Sequence, residues 1–185
     1  MTGLDLAAFV ELLACWILWG LPFFFRSRKQ PKDREAVTAP AAKWGIGVQA
    51  IAFFLAWFRI VRSNPPGLLI ASMLIAPAST WFVWRAVTHL GKQWRIQAGV
   101  YSDHELVRTG PYAVVRHPIY TSMLGMLIAT GLVMTWWPVL IVAAAIFIVG
   151  MEIRIRAEEA LLESRFGETF RQYRASVPAY IPFIR

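Results

Sequence analysis

Two short stretches carry residue types that could do chemistry. The first is GPYAVVRHPIY, residues 110–120. Gly110 and Pro111 mark a tight turn, and Pro118 biases His117 to extended backbone while suiting the first turn of a following helix. The Arg116 and His117 donors and the rings and hydroxyls of Tyr112 and Tyr120 then lie beside a helix N-terminus, whose free backbone N–H groups attract anions. The set suits a ligand with an aromatic ring and a carboxylate. It equally suits a positively charged turn at a membrane surface, and Arg116 fits either a site or an anchor to that surface. The second stretch is RIRAEEALLE, residues 154–163. Helical spacing puts Arg154 and Glu158 on one face (i,i+4) and Arg156 and Glu159 (i,i+3) on a neighbouring one. These read either as ion pairs on a solvated helix, each worth under about 1 kcal/mol, or as one wall of a site if the loop lies near.

The elements that must position these residues are apolar. The 185-residue chain is 57% hydrophobic and 16% charged, against about 25% charged in a soluble domain. Its apolar residues fall in runs long enough for membrane spans, and nine Trp fit a protein with two lipid–water interfaces. The first run covers residues 4–25, holds Glu11, and ends at Pro22 and the basic RSRKQPKDRE. Glu11 is expected to face a helix partner or sit near an interface. The second runs from near Trp44 to about Val61 and the third over residues 67–87, with a kink expected at Pro77. SNPPG between them breaks the helix and suggests a tight antiparallel pair. Runs four and five, residues 119–135 and 139–151, form a hairpin through Trp136-Trp137-Pro138. The fifth helix should continue into water through EIRIRAEEALLESRF, which keeps helix formers with alternating charge, and end or bend at Gly167. The tail VPAYIPFIR reads as extended. Cys15, the sole cysteine, cannot form an internal disulfide and reads as a small core residue. Without a basic n-region or a small-residue cleavage site, the first run reads as a mature helix.

The fold class expected is an all-α integral membrane protein with about five transmembrane helices. The chain reads as a single membrane domain over 1–185, with three N-terminal spans in 1–87 and a catalytic region in 88–185. That region comprises a loop, a helical hairpin and a cytosolic C-terminal helix. Residues 88–118, with three His, Lys92, Arg95, Arg108, Arg116, Asp103 and Glu105, are too long for an idle turn.

The net charge of +8 would suggest nucleic acid in a soluble protein, but no basic arm or RNA-binding signature is present. With the N-terminus outside, the three inner segments, 26–43, 85–118 and 152–185, hold 17 of the 19 Lys and Arg. That is the positive-inside pattern, and it puts the loop and the C-terminal helix on one cytosolic face. His89, His104 and His117 lack zinc-ligand spacing, so no metal is expected. HExxH, G-x-S-x-G, Walker A and G-x-G-x-x-G motifs are all missing.

Together, HELVRTGPYAVVRHPIY and RIRAEEALLESRFGETFRQYRASVPAYIPFI resemble the isoprenylcysteine carboxyl methyltransferase family, integral membrane enzymes that use S-adenosylmethionine. The resemblance covers roughly residues 91–184. It implies that Gln97, His104, Glu105, Leu106, Val107, Tyr112, His117, Pro118, Ile119 and Tyr120 line the cofactor. It implies that Arg154 and Glu158 serve the substrate and the reaction. The expected activity is methyl transfer to the carboxylate of a lipophilic, isoprenylcysteine-type substrate. Rival readings are a phospholipid amine or small thiol as acceptor, or a non-enzymatic membrane scaffold. The partners implied are a prenylated or lipid-like substrate and the bilayer (bacterial inner membrane or endoplasmic reticulum), with no nucleic acid. One position departs from the family pattern: Ser176 stands where relatives often carry Arg before the Val-Pro of the tail.

Overall fold

The computed structural model describes residues 2–27, 36–38, 42–58, 64–93, 99–101 and 105–182. Among them lie helices α1 (Gly3–Ser27), α2 (Ala42–Trp57), α3 (Pro66–Leu90), α4 (Pro118–Met134), α5 (Trp137–Phe166) and α6 (Glu168–Ser176). Two short strands, β1 (Ala36–Thr38) and β2 (Gly99–Tyr101), pair antiparallel with Val37 opposite Val100. Helices α1, α3 and α5 are long and apolar enough to cross a bilayer, and α2 and α4 are shorter apolar helices packed among them. Ile17, Phe54, Leu74, Trp81 and Val149 point outward and exposed, as a lipid-facing surface requires. The protein is an all-α membrane protein.

Helix α1 spans the expected first run and carries Pro22 inside it, continuing to Ser27. Pro22 cannot donate to the carbonyl of Leu18, four residues back. The indole N–H of Trp84 donates to that carbonyl instead, at 2.8 Å. Tertiary contact thus fills the gap that proline opens. Pro77 likewise lies inside a continuous α3. Cys15 is buried, as expected.

SNPPG does break the helix, since α3 begins at Pro66, but α2 and α3 are not the tight pair expected. Helix α2 packs chiefly on α5, and α3 on α4 and α1. Small residues decide this. The buried face of α2 is Ala42, Gly45, Gln49, Ala52 and Ala56, a 3-4-3-4 spacing that forms one seam. It meets α5 where Gly150 lies so close that an added Cβ would stand 2.8 Å from the Gly45 carbonyl. On the other side, Gly125 of α4 leaves the space that Ser79 of α3 fills.

The α4–α5 hairpin forms as expected, with Thr135 and Trp136 between the helices. At 30 residues, α5 is about 45 Å long. That exceeds a hydrocarbon core of about 30 Å, so its polar end, from about residue 154 onward, projects beyond the apolar part. Gly167, at φ 52, stops it, and its N–H caps the Glu163 carbonyl at 2.8 Å. Helix α6 and an extended segment then fold back on the loop.

Candidate functional site

The GPY turn is a single three-ten turn, Gly110–Ala113. Gly110 has φ 60, and a Cβ there would stand 2.9 Å from the His89 ring. Only glycine meets both conditions. His89, near the end of α3, bonds Thr109 Oγ1 at 2.8 Å and stacks on Tyr112 with ring centroids 6.5 Å apart. The loop is therefore seated on α3, and Tyr112 is buried.

The tail closes the other side. Arg116 N–H donates to Pro178 O at 2.9 Å and His117 N–H to Ala179 O at 2.8 Å. Thr121 Oγ1 donates to Tyr180 O at 2.7 Å, and the Tyr173 hydroxyl donates to Tyr112 O at 2.6 Å. Burial pushes the Tyr173 hydroxyl well above its ordinary value, so it stays a donor. Arg116 is the brace. Its Nε and Nη2 reach Glu159 Oε1 at 2.9 and 2.8 Å, and its Nη1 reaches the Arg174 and Val177 carbonyls at the end of α6. This arginine anchors loop to helix and tail, and caps helix carbonyls that would otherwise lack partners.

Behind the brace stands a row of polar groups. His117 Nε2 lies 3.1 Å from Glu159 Oε1. A carboxylate only accepts, so Nε2 carries the hydrogen, and Nδ1 faces Glu158 Oε2 at 3.9 Å. Glu159 lies in the polar end of α5, outside the apolar part. Burial would raise its carboxyl, but His117 and Arg116 outweigh burial and hold it below its ordinary 4.5. The expected Arg156–Glu159 pair does not form: Glu159 is taken by Arg116 and His117, and Arg156 pairs with Glu152 at 3.4 Å.

Tyr120 joins the two residues singled out on α5. Its hydroxyl donates to Glu158 Oε2 at 3.1 Å, and the Arg154 guanidinium lies over its ring, 4.8 Å from the centroid, close enough for a cation–π contact. Arg154 Nη1 also donates to Gln49 Oε1 of α2 at 2.9 Å. Loop, α4, α5 and α2 thus meet at one cluster.

Of the other residues singled out in the sequence, Pro118 is buried at the first turn of α4, where Pro was expected. Ile119 packs against Val83 and Val87 of α3. Glu105, Leu106 and Val107 form the chain leading into the turn, with Glu105 exposed and the other two half-buried. Gln97 and His104 lie outside the described residues. Glu11 is half-buried in α1. Ser176, at the end of α6, lines a cleft of about 1040 Å³ on the far side of the brace, with Arg116, Arg156, Glu159 and Arg174. Arg154 and Glu158 do not line that cleft.

Several buried polar atoms have no partner among the described residues, including Tyr112 Oη, both amide atoms of Gln93, and Gln49 Nε2. Each costs about 1–3 kcal/mol unless a ligand or water meets it. Burial, with Glu158 and two tyrosines nearby, pushes the Tyr112 hydroxyl well above its ordinary value. It stays protonated and free to donate. Gln93 lies four residues past His89, in the turn that follows α3. The unmet Tyr112 hydroxyl, on a ring stacked against His89, suits a polar, ring-bearing cofactor. His89, Gln93 and Gln49 escape the sequence reading because each stands in or near an apolar run with no motif around it. Only the three-dimensional packing gives them a role.

Residues 69–164 match the family model for the isoprenylcysteine carboxyl methyltransferase family. The chain is 37% identical over 82 residues to a protein-S-isoprenylcysteine O-methyltransferase of Schizosaccharomyces pombe, covering 44% of this chain and 35% of that protein. It is 34% identical over 101 residues to protein-S-isoprenylcysteine O-methyltransferase B of Arabidopsis thaliana, covering 54% and 48%. It is also 30% identical over 118 residues to the cobalt-zinc-cadmium resistance protein CzcN of Cupriavidus metallidurans, covering 63% and 50%. The chain thus spans half or less of the length of each of these relatives. The matched stretch runs from α3 through the loop and hairpin to the polar end of α5, so it includes His89, Tyr112, Tyr120, Arg154 and Glu158. With a match over more than half its length, the chain belongs to the isoprenylcysteine carboxyl methyltransferase family.

Proposed function

We propose that this chain transfers a methyl group from S-adenosylmethionine to the carboxylate of a lipophilic, isoprenylcysteine-type substrate, working as a single membrane domain. The observation that carries this reading is the Tyr120 junction, which sets Arg154 and Glu158 against the loop through one phenol. S-adenosylmethionine supplies an electrophilic methyl group on a sulfonium sulfur. The residues to hold it are Tyr112, His117, Pro118 and Gln93, with Glu105, Leu106 and Val107 leading into the turn. The unmet buried atoms of Tyr112 and Gln93 support that assignment.

A carboxylate acceptor is ionised at neutral pH, so the protein needs no strong base. Its task is to orient the acceptor and exclude water. Arg154 offers a planar fork that suits a carboxylate, with Tyr120 beneath it and Glu158 fixing the Tyr120 hydroxyl. The tail and the Arg116 brace close the site from water. The apolar surfaces of the helices suit lateral entry of a prenyl chain from the bilayer. The charge asymmetry of the sequence supports placing this end of the bundle on the cytosolic side.

The test is incubation of purified protein in detergent with methyl-labelled S-adenosylmethionine and either N-acetyl-farnesylcysteine or phosphatidylethanolamine. Label should enter the farnesylcysteine analogue and be released by mild base. Base-stable label in the phospholipid alone, or no label in either, would overturn the reading.

A further inference from the structure

We infer that Gln49 is a specificity-determining residue of the acceptor site. With its oxygen held by Arg154, its amide N–H donates to an oxygen of the acceptor carboxylate. The inference rests on the carboxylate-methylation reading above and extends it to a residue on a different helix.

The amide orientation is fixed by chemistry. A guanidinium only donates, so the Gln49 atom at 2.9 Å from Arg154 Nη1 is the oxygen. The NH2 must then point the other way. It is buried, on a residue only 2% exposed, and nothing among the described residues accepts from it. Its need is an oxygen acceptor from outside the protein.

The placement is built into the helix crossing. Gly45 and Gln49 are one turn apart on α2, and Gly150 and Arg154 are one turn apart on α5. A Cβ on Gly45 would stand 2.5 Å from Arg154 Cγ, and one on Gly150 would stand 3.0 Å from Gln49 Cγ. The two glycines therefore make room for the two polar stems to run side by side. Gln49 is the one polar residue in a buried seam otherwise made of alanine and glycine. A buried polar group in such a seam is costly unless it is used.

The chemistry selects the ligand. The unmet Gln49 N–H, beside the cationic Arg154, can only donate, which suits an oxygen of an anionic acceptor and mismatches a protonated amine or a thiol. The pair thus favours a carboxylate over the alternative acceptors.

The test is steady-state methylation of N-acetyl-farnesylcysteine by wild type, Gln49→Met and Gln49→Glu, with cofactor affinity measured by calorimetry on each. Gln49→Met keeps length and apolar stem but cannot donate. It should raise KM for the acceptor about tenfold, as expected for one lost hydrogen bond to a charged group. It should change kcat less than about threefold and leave cofactor affinity unchanged. Gln49→Glu is nearly isosteric and pairs with Arg154, so it keeps the crossing intact if Gln49→Met does not fold. It should raise KM further, because its charge repels the acceptor. A wild-type KM in either folded variant, or a fall in kcat with no change in KM, would overturn the role of Gln49 while leaving the methylation reading standing. Absence of transfer by wild type would overturn both.

Discussion

Tyr120 donates its hydroxyl to Glu158 at 3.1 Å while its ring lies beneath the Arg154 guanidinium. One side chain thereby fixes the spacing of a cation and an anion on the next helix. Replacing the phenol separates its two contributions. Tyr120→Phe keeps the ring under Arg154 and frees Glu158. Turnover should fall about tenfold, the scale of one hydrogen bond to a charged group, while cofactor affinity stays unchanged by calorimetry. Unchanged turnover would show that Glu158 needs no fixing.

The Arg116 brace predicts a stability effect. Its ion pair with Glu159 is largely buried, with side-chain exposures of 8% and 12%, and removing one partner of such a pair costs about 3 kcal/mol. Arg116→Ala should lower the thermal midpoint in detergent and expose residues 177–182 to protease. Arg116→Lys should recover only part of this, because one ammonium cannot span Glu159 and the carbonyls of Arg174 and Val177 together.

The same pair predicts an acid limb. His117 and Arg116 face Glu159 and hold its folded carboxyl below the ordinary 4.5. A depressed value means a stabilising contribution that is full above about pH 5 and lost as pH falls through the folded value. Thermal midpoints across pH 3–6 should therefore drop towards acid in wild type. The drop should be shallower in Glu159→Gln, which has no charge to lose.

The Gly45–Gly150 crossing should not tolerate bulk. Gly45→Val would drive a branched side chain into Arg154 Cγ and the Gly150 carbonyl. Overpacking of this kind costs about 1–3 kcal/mol, and here it also displaces Arg154. A lower thermal midpoint with loss of turnover is expected. A variant with wild-type values for both would show that α2 need not approach α5 so closely.

What the sequence made legible was local punctuation. Gly110-Pro111, Pro118 and Gly167 each mark a boundary by their own backbone restrictions, and each boundary stands where expected. The long fifth helix was legible because its polar end keeps strong helix formers. Partner choice was not. SNPPG says that the chain turns, but Gly45 and Gly150 decide that α2 lies on α5. Helical spacing allows Arg156 to meet Glu159, but Arg116 arrives from 43 positions away and takes it. Gln49 and Arg154 are 105 positions apart, and a lone glutamine in an apolar run carries no sign of its partner. Pro22 shows the same limit, since the donor that rescues its helix is an indole on α3.

In the proposed reaction Arg154 holds the acceptor and not the cofactor. Arg154→Ala, compared with wild type for S-adenosylmethionine affinity and for base-labile methylation of N-acetyl-farnesylcysteine, tests it most directly. Affinity should stay within about threefold while ester formation falls about a hundredfold or more, as for loss of an interaction made with the reacting group. Equal loss of both, or ester formation that survives the substitution, would contradict it.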